Sequence, residues 1–304
     1  MSTADARMSV LLAGGSGFLG TRLQRALRDR GHTVTTLTRR APEKDSEASW
    51  DPYAGELDAA LVEGADVVVN LAGSPLIGNP HSKRWARDLR DSRVVTTAVL
   101  AKAIAASERR PAFLAGNGIA WYGDHGSAVL TEASDTRGHA LLTTVTRDWQ
   151  EAALPASEAG ARVCVLRTSP VMDASGPPLQ WLKLLFRTGT GGRLGSGEQY
   201  MPMSSLRDWL GAVVHLAEHP DASGPFNICL PEAPTNREFT RALAERVAPK
   251  GLAPFPVPAL LLRAAAGDLA PELLGSVNVR PAALEASGYT FLDPDVGSLL
   301  DTGL

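Results

Sequence analysis

Through the first half of the chain, short aliphatic runs alternate with longer amphipathic stretches. Ser9–Ala13, Thr33–Thr38, Asp66–Asn70, Pro111–Gly116 and Ala161–Arg167 are brief, rich in Val and Leu and bounded by turn residues, which predicts strands buried on both faces. Ala48–Trp50 is a shorter candidate for a further strand. Between the strands, apolar residues at helical spacing predict helices over Phe18–Arg30, Glu56–Glu63, Trp85–Ser107 and Val145–Glu158. Strand–helix alternation of this kind predicts an α/β protein with a doubly wound parallel sheet covered on both faces.

After Arg167 the alternation stops, and Gly and Pro become dense across Ser169–Gly197. A helix is expected over Leu206–Glu218, closed by His219-Pro220, then a strand over Pro225–Cys229. Helices follow over Asn236–Val247, with Thr235 or Asn236 as N-cap, and over Ala259–Ala266. The expected organisation is a disordered N-terminus at residues 1–7, a nucleotide domain at 8–168 to which segments near 206–230 return, and a smaller substrate lobe mainly from 169–304.

Composition narrows the class. Among 304 residues, 44% are hydrophobic and 21% charged, and 29 Gly with 21 Pro stay below low-complexity levels, so a packed core is expected rather than disorder. The net charge of −3, with no basic run longer than Arg39-Arg40 or Arg109-Arg110, argues against a nucleic-acid or anionic-lipid partner. Cys164 and Cys229 each sit in an apolar run, which fits buried thiols and a cytoplasmic location rather than a disulfide framework. No stretch approaches the roughly 20 apolar residues of a membrane span. A homodimer is compatible with all of this.

The chemistry begins at Gly14-Gly15-Ser16-Gly17-Phe18-Leu19-Gly20, between the first strand and the first helix. Glycines there permit a tight turn, let a pyrophosphate approach bare backbone and bring helix and strand close, while the helix N-terminus presents free N–H groups. In that context the motif predicts a Rossmann-type dinucleotide site. The second strand ends in Thr38-Arg39-Arg40, with no acid to accept a ribose 2′-hydroxyl. A hydroxyl followed by two guanidiniums suits a 2′-phosphate, so NADP(H) is expected over NAD(H); the alternative is two arginines that merely solvate a loop. Leu71-Ala72-Gly73, after the fourth strand, supplies small residues where ribose and diphosphate would lie.

These features resemble the extended, epimerase-like branch of the short-chain dehydrogenase/reductase superfamily. Trp50-Asp51-Pro52, Ser92-Arg93-Val94, Trp121-Tyr122-Gly123-Asp124, Leu130-Thr131-Glu132, Leu166-Arg167-Thr168, Asp208, Asn227 and Arg280-Pro281 narrow the likeness to the atypical YfcH-like epimerase-family proteins, a group also described as cell-division-inhibitor-like. The resemblance implies a C-terminal family domain at about 255–301. It also implies that Arg167 and Ser169-Pro170-Val171 lie beside the nicotinamide, where their backbone would hold its carboxamide.

Ordinary members of the superfamily use a Tyr-x-x-x-Lys pair. None of Tyr53, Tyr122, Tyr200 and Tyr289 has Lys four residues on, and the helix that should carry the pair reads Leu141-Leu142-Thr143-Thr144-Val145-Thr146. Asn117, where related chains have Ser, can donate to a carbonyl oxygen but cannot shuttle a proton. Tyr122 is the remaining candidate acid, protonated at neutral pH; the alternative is that Trp121 and Tyr122 are packing aromatics. Trp121, Arg193 and Ser205 are the expected substrate contacts. Arg193 belongs to Gly191–Gly197, read as a flexible loop rather than a second phosphate loop because it lacks Gly-Lys-Ser/Thr. His215-x-x-Glu218-His219 matches a zinc-protease pattern but is read as chance, and no metal is expected. Three functions stay open: an NADP(H)-dependent oxidoreductase on a small carbonyl or alcohol, a catalytically silent NADP(H) binder, and a non-redox enzyme with a structural cofactor.

Overall fold

The computed structural model describes residues 7–76, 78–248 and 256–304. The expected disordered N-terminus, Arg7 apart, and the first residue expected in the C-terminal domain, Phe255, lie outside the described residues.

The chain begins β1 (Ser9–Ala13), α1 (Phe18–Asp29), β2 (Thr33–Thr38), β3 (Glu47–Ser49), α2 (Ala59–Glu63), β4 (Val67–Asn70), α3 (Lys83–Ala106) and β5 (Ala112–Gly118). It continues through β6 (Val129–Leu130), α4 (Leu141–Glu151), α5 (Leu154–Glu158), β7 (Val163–Thr168), β8 (Val171–Met172), α6 (Pro177–Arg187), β9 (Ser204–Ser205), α7 (Leu206–Glu218) and β10 (Gly224–Ile228). The last part holds α8 (Asn236–Val247), α9 (Ala259–Ala266), α10 (Ala270–Leu274), β11 (Asn278–Val279), α11 (Ala282–Ala286) and α12 (Val296–Gly303).

Seven strands form the parallel central sheet of a Rossmann-type fold, in the order β10-β7-β5-β4-β1-β2-β3. Its order reverses between β1 and β4, which pair in parallel with Ala13 opposite Asn70. In such sheets a ligand crevice lies outside the carboxyl ends at the reversal. The inner strands β1, β4, β5 and β7 are buried on both faces, as their apolar runs demand, with Leu12, Val68, Leu114 and Leu166 fully buried, whereas the edge strand β3 is only partly covered. Leu100 and Ile104 of α3 and Ala156 of α5 pack onto Val68 and Phe113. Burial of each large aliphatic side chain contributes about 1.5–3 kcal/mol. Cys164 and Cys229 are buried free thiols, and burial pushes the Cys164 thiol up to about 11.

Two compact units emerge, and the chain passes between them several times. The first holds residues up to Asn117, Arg147–Leu166 and Leu210–Pro225; the second holds Gly118–Thr146, Arg167–Trp209 and Phe226–Leu304. The second unit has its own core, in which Leu179 and Phe186 of α6, Phe239 and Leu243 of α8 and Leu299 and Leu300 of α12 meet. The Pro- and Gly-dense stretch contains α6, whose first turn holds Pro177 and Pro178, where a missing N–H costs nothing.

Other boundaries shift for local reasons. The helix expected over Val145–Glu158 is two helices, since Pro155 cannot sit in a helix interior and instead opens α5. The one expected from Glu56 starts at Ala59 because Asp58 caps it by accepting from Ala60 N–H, while Glu56 bridges to Asp51. Thr235 is the cap of α8, in a capping box with Glu238.

Candidate functional site

The glycine loop is built so that side chains cannot enter it. Gly14 has φ +79°, and a Cβ there would lie 2.5 Å from the Leu71 carbonyl carbon. A Cβ on Gly20 would lie 2.2 Å from Gly14 O, and one on Gly15 would lie 2.3 Å from Thr36 Cγ2. Backbone therefore presses on backbone from β1 to the turn after β4 and to the first turn of α1. Gln24, which sequence reasoning passed over, donates to Gly15 O at 2.8 Å and pins the loop from within α1. Gly17 caps α1 without a side-chain hydrogen bond, so no hydroxyl or carboxylate of its own competes for the N–H groups that Ser16, Phe18 and Leu19 bring to this turn. The buried Thr36 hydroxyl has no partner among the described residues. A side-chain-free cradle, an uncapped helix start and an orphaned hydroxyl together fit a bound dinucleotide diphosphate.

At the end of β2 the two arginines differ. Arg40 is bound to Glu43 and, at 3.1 Å, to Glu47, so its charge is already met. Arg39 is exposed and makes no ion pair among the described residues. It lines a cleft of about 660 Å³ with Trp50, Asp51, Leu57 and Asp58. Thr38 Oγ1 accepts from the Arg40 N–H at 3.3 Å and shapes the turn between them.

Asn70 closes β4 and shapes the next turn. Its Oδ1 accepts from Ala72 N–H at 3.0 Å, and its Nδ2 donates to Thr97 Oγ1 at 2.8 Å. The Thr97 hydroxyl in turn receives Trp149 Nε1 at 2.7 Å. A polar residue ending an otherwise apolar strand was the visible signal for this role. Leu71 and Ala72 thus face Gly14, and the Arg93 guanidinium lies against Gly73. Asn117, the last residue of the first unit, is 4% exposed.

The second unit gathers a buried polar cluster. Tyr122 is fully buried; its hydroxyl donates to Asn227 Oδ1 at 2.8 Å and accepts from Arg167 Nη1 at 2.9 Å. Burial pushes the phenol up to about 12, against the opposing pull of Arg167. The Arg167 guanidinium, also buried, lies 3.5 Å from the centroid of the Trp121 ring. Burial holds its pKa below the usual arginine value, with Tyr122 and Glu132 acting in the opposite sense. Asn227 Nδ2 donates to Arg280 O at 2.9 Å, and the Glu132 carboxylate accepts from the N–H groups of Asn227 and Ala283. Asn227 and Glu132, quoted only as part of a resemblance, are thus central to the cluster. Their partners lie too far along the chain for spacing to reveal them.

Other candidates have local duties. Ser169 donates from both N–H and Oγ to Ile228 O, Pro170 O accepts from Ser204 N–H, and Val171 is buried in β8. Ser205, expected against substrate, is 1% exposed; its hydroxyl donates to Asp208 Oδ2 and accepts from Asp208 N–H at the start of α7. The Gly191–Gly197 loop is pinned rather than free, because Asn236 Oδ1 accepts from Leu194 N–H and Gln199 Nε2 donates to Leu194 O. The Arg193 side chain folds over Gly197, where a Cβ would lie 2.4 Å from its Cδ. In the zinc-protease pattern, Glu218 is held by Arg30 and His32.

Comparison with known proteins agrees with this architecture. Residues 10–229 match the NAD dependent epimerase/dehydratase family, and residues 257–302 match a domain of unknown function, DUF1731. Epimerase family protein Mb2239 of Mycobacterium bovis is 37% identical over 292 residues, covering 96% of each chain. Epimerase family protein SDR39U1 of Homo sapiens is 32% identical over 300 residues, covering 96% of this chain and 98% of the human one. A crystal structure of human SDR39U1 (isoform 2) with NADPH superposes with a TM-score of 0.84 at 30% identity, covering 97% of this chain and 99% of that one. With the glycine cradle, the strand order and this match over most of its length, the chain belongs to the NAD dependent epimerase/dehydratase family, in its extended short-chain dehydrogenase/reductase branch.

Proposed function

We propose that this protein is an NADP(H)-dependent oxidoreductase that acts on a small carbonyl or alcohol substrate without a Tyr-x-x-x-Lys pair. The observation that carries the cofactor preference is Arg39, an exposed guanidinium without an ion pair at the end of a strand that lacks an acid. Gly14, Gly15, Gly17 and Gly20 would seat the diphosphate, Leu71-Ala72-Gly73 the adjoining ribose, and Thr38 and Arg39 the 2′-phosphate. The NADPH in the human SDR39U1 structure supports this preference. When bound, the nicotinamide supplies or accepts the hydride.

Asn117 orients the substrate oxygen by donating a hydrogen bond. Tyr122 keeps its proton throughout the neutral range, and its transfer requires the bond to Asn227 to open. Arg167 holds the phenol oxygen while Trp121 supports the guanidinium. The test is a panel of small aldehydes, ketones and alcohols, followed by NADPH absorbance. Turnover by the wild type, with a loss of about 100-fold or more in Tyr122→Phe and Asn117→Ala at unchanged NADPH affinity, is the expected result. Unchanged turnover in both variants overturns this assignment of roles.

One observation favours a second reading, a cofactor binder without turnover: the Tyr122 proton is already committed to Asn227. That reading gains if NADPH raises the melting temperature while no member of the panel consumes it.

A further inference from the structure

Glu272 of α10 is a carboxyl withdrawn from water with one oxygen left over. It accepts from Leu142 N–H in the first turn of α4, while its Oε1 is buried and has no partner among the described residues. Burial pushes the carboxyl up to about 7. A neutral carboxyl tolerates this setting, whereas a carboxylate with an unmet oxygen is penalised away from water. The first turn of α4, Leu141-Leu142-Thr143-Thr144, supplies no cation. The surrounding elements carry Arg263 on α9, Asp268 in the turn before α10, His139 before α4, Asp124 and His125 after Tyr122, and Arg193 in the Gly191–Gly197 loop. Burial against the Leu142 N–H, rather than any of these groups, governs the titration of Glu272.

The element that carries this carboxyl is short, bounded by glycines and joined to two others. On one side Gly267, with φ +47°, ends α9. On the other, Gly275 separates Leu274 from Ser276, whose N–H is held by Asp124 Oδ1 at 3.3 Å and whose hydroxyl donates to Gly126 O at 2.5 Å. Between these points Leu273 O accepts from Gln199 Nε2 at 3.3 Å, and the same Nε2 donates to Leu194 O at 3.0 Å. A Cβ on Gly195 would lie 3.6 Å from Leu274 Cδ2. Through Glu272, α10 therefore rests on the start of α4, and through Leu273 and Leu274 it rests on the Gly191–Gly197 loop. The start of α4, α10 and the loop all belong to the second unit.

We propose that α10 is a proton-dependent latch: with Glu272 neutral it stays seated on α4 and helps to hold the Gly191–Gly197 loop, and with Glu272 ionised it lifts toward water and the loop loses its tie to Leu273. The proton passes from the carboxyl to water, and the carboxylate gains the solvation it lacks when seated. The loop keeps its bond to Asn236, so the change is a loosening at one end. The latch stands on the packing of α10; only the use of Arg193 in this loop as a substrate contact rests on the proposed function.

The test is hydrogen exchange read by mass spectrometry on the full chain, as wild type and Glu272→Gln, at several pH values on either side of 7 and corrected for the intrinsic exchange rate. In the wild type, peptides covering α10, the start of α4 and the Gly191–Gly197 loop are expected to lose protection as pH rises above this value. The loss should approach about ten-fold per pH unit, the most that one proton allows. In Glu272→Gln the same peptides should stay protected, and in both proteins β1 and β4 should not follow the change. Flat protection in the wild type, or an equal loss in both proteins, overturns the latch. A loss shared equally by β1 and β4 also overturns it, because the proton would then act on global unfolding rather than on α10. Should Glu272→Gln not fold, Glu272→Met gives the same comparison with another side chain that cannot ionise. Neither cofactor nor substrate enters the measurement, so a failure to turn over NADPH sinks the proposed function while exchange still decides the latch.

Discussion

The Tyr122 hydroxyl donates to Asn227 Oδ1 at 2.8 Å, and both side chains are fully buried. The bond joins the turn after β5 to β10, residues 105 positions apart in the chain. Tyr122→Phe removes the donor while Arg167 Nη1 loses an acceptor, and each buried group deprived of a partner costs about 1–3 kcal/mol. Chemical denaturation is expected to show a lower midpoint with the same slope. An unchanged midpoint would mean that the hydroxyl is not held in this way.

Gly20→Ala should be tolerated on helix propensity alone, where Ala gains about 1 kcal/mol over Gly. Its Cβ would nevertheless lie 2.2 Å from Gly14 O, so α1 must move away from the loop. NADPH affinity is expected to fall about ten-fold or more. Calorimetry checks this, and retained affinity would show that the cradle does not need this close approach.

Arg39 and Arg40 are expected to separate on mutation although they are neighbours. Arg39→Asp should weaken NADPH by about ten-fold or more and leave NADH nearly unchanged, because only NADPH carries the 2′-phosphate. Arg40→Ala should do little to either, since that guanidinium is already paired with Glu43 and Glu47. Equal losses for both cofactors in Arg39→Asp would sink the 2′-phosphate argument.

Glu272, on α10, is the basis for a pH prediction. Burial pushes its carboxyl from 4.5 up to about 7, against a hydrogen bond from Leu142 N–H, and its Oε1 has no hydrogen-bond partner among the described residues. The folded chain holds this proton to a higher pH than the unfolded chain does. The protonated carboxyl therefore favours folding below 4.5, and that contribution is lost as pH rises through about 7. Glu272→Gln removes the titration, so its stability relative to wild type should increase across this window and level off on either side. Denaturant melts at several pH values measure it; a difference that stays constant with pH would refute it.

Strand and helix periodicity is a local property, and for that reason most elements of the sheet could be read from residue order, with ends displaced by a few positions. The glycine loop was equally legible, because its spacing alone states that backbone must meet backbone. What residue order hides is pairing at a distance. Val129 and Leu130 are strand residues only because Asn278 and Val279 come to lie beside them, and nothing in either dipeptide says so. The same holds for charge. Arg39 and Arg40 are equivalent as letters, and the path of the chain to Glu47 decides which of them is already neutralised. Arg93 and Arg167 are likewise ordinary arginines until folding removes their water, one against carbonyl oxygens and the other against Tyr122 and Trp121. Local pattern determines which segments are strands and helices, since it depends on a few neighbouring residues. The state of a proton or a charge depends on burial and partners, which exist only once distant segments have packed.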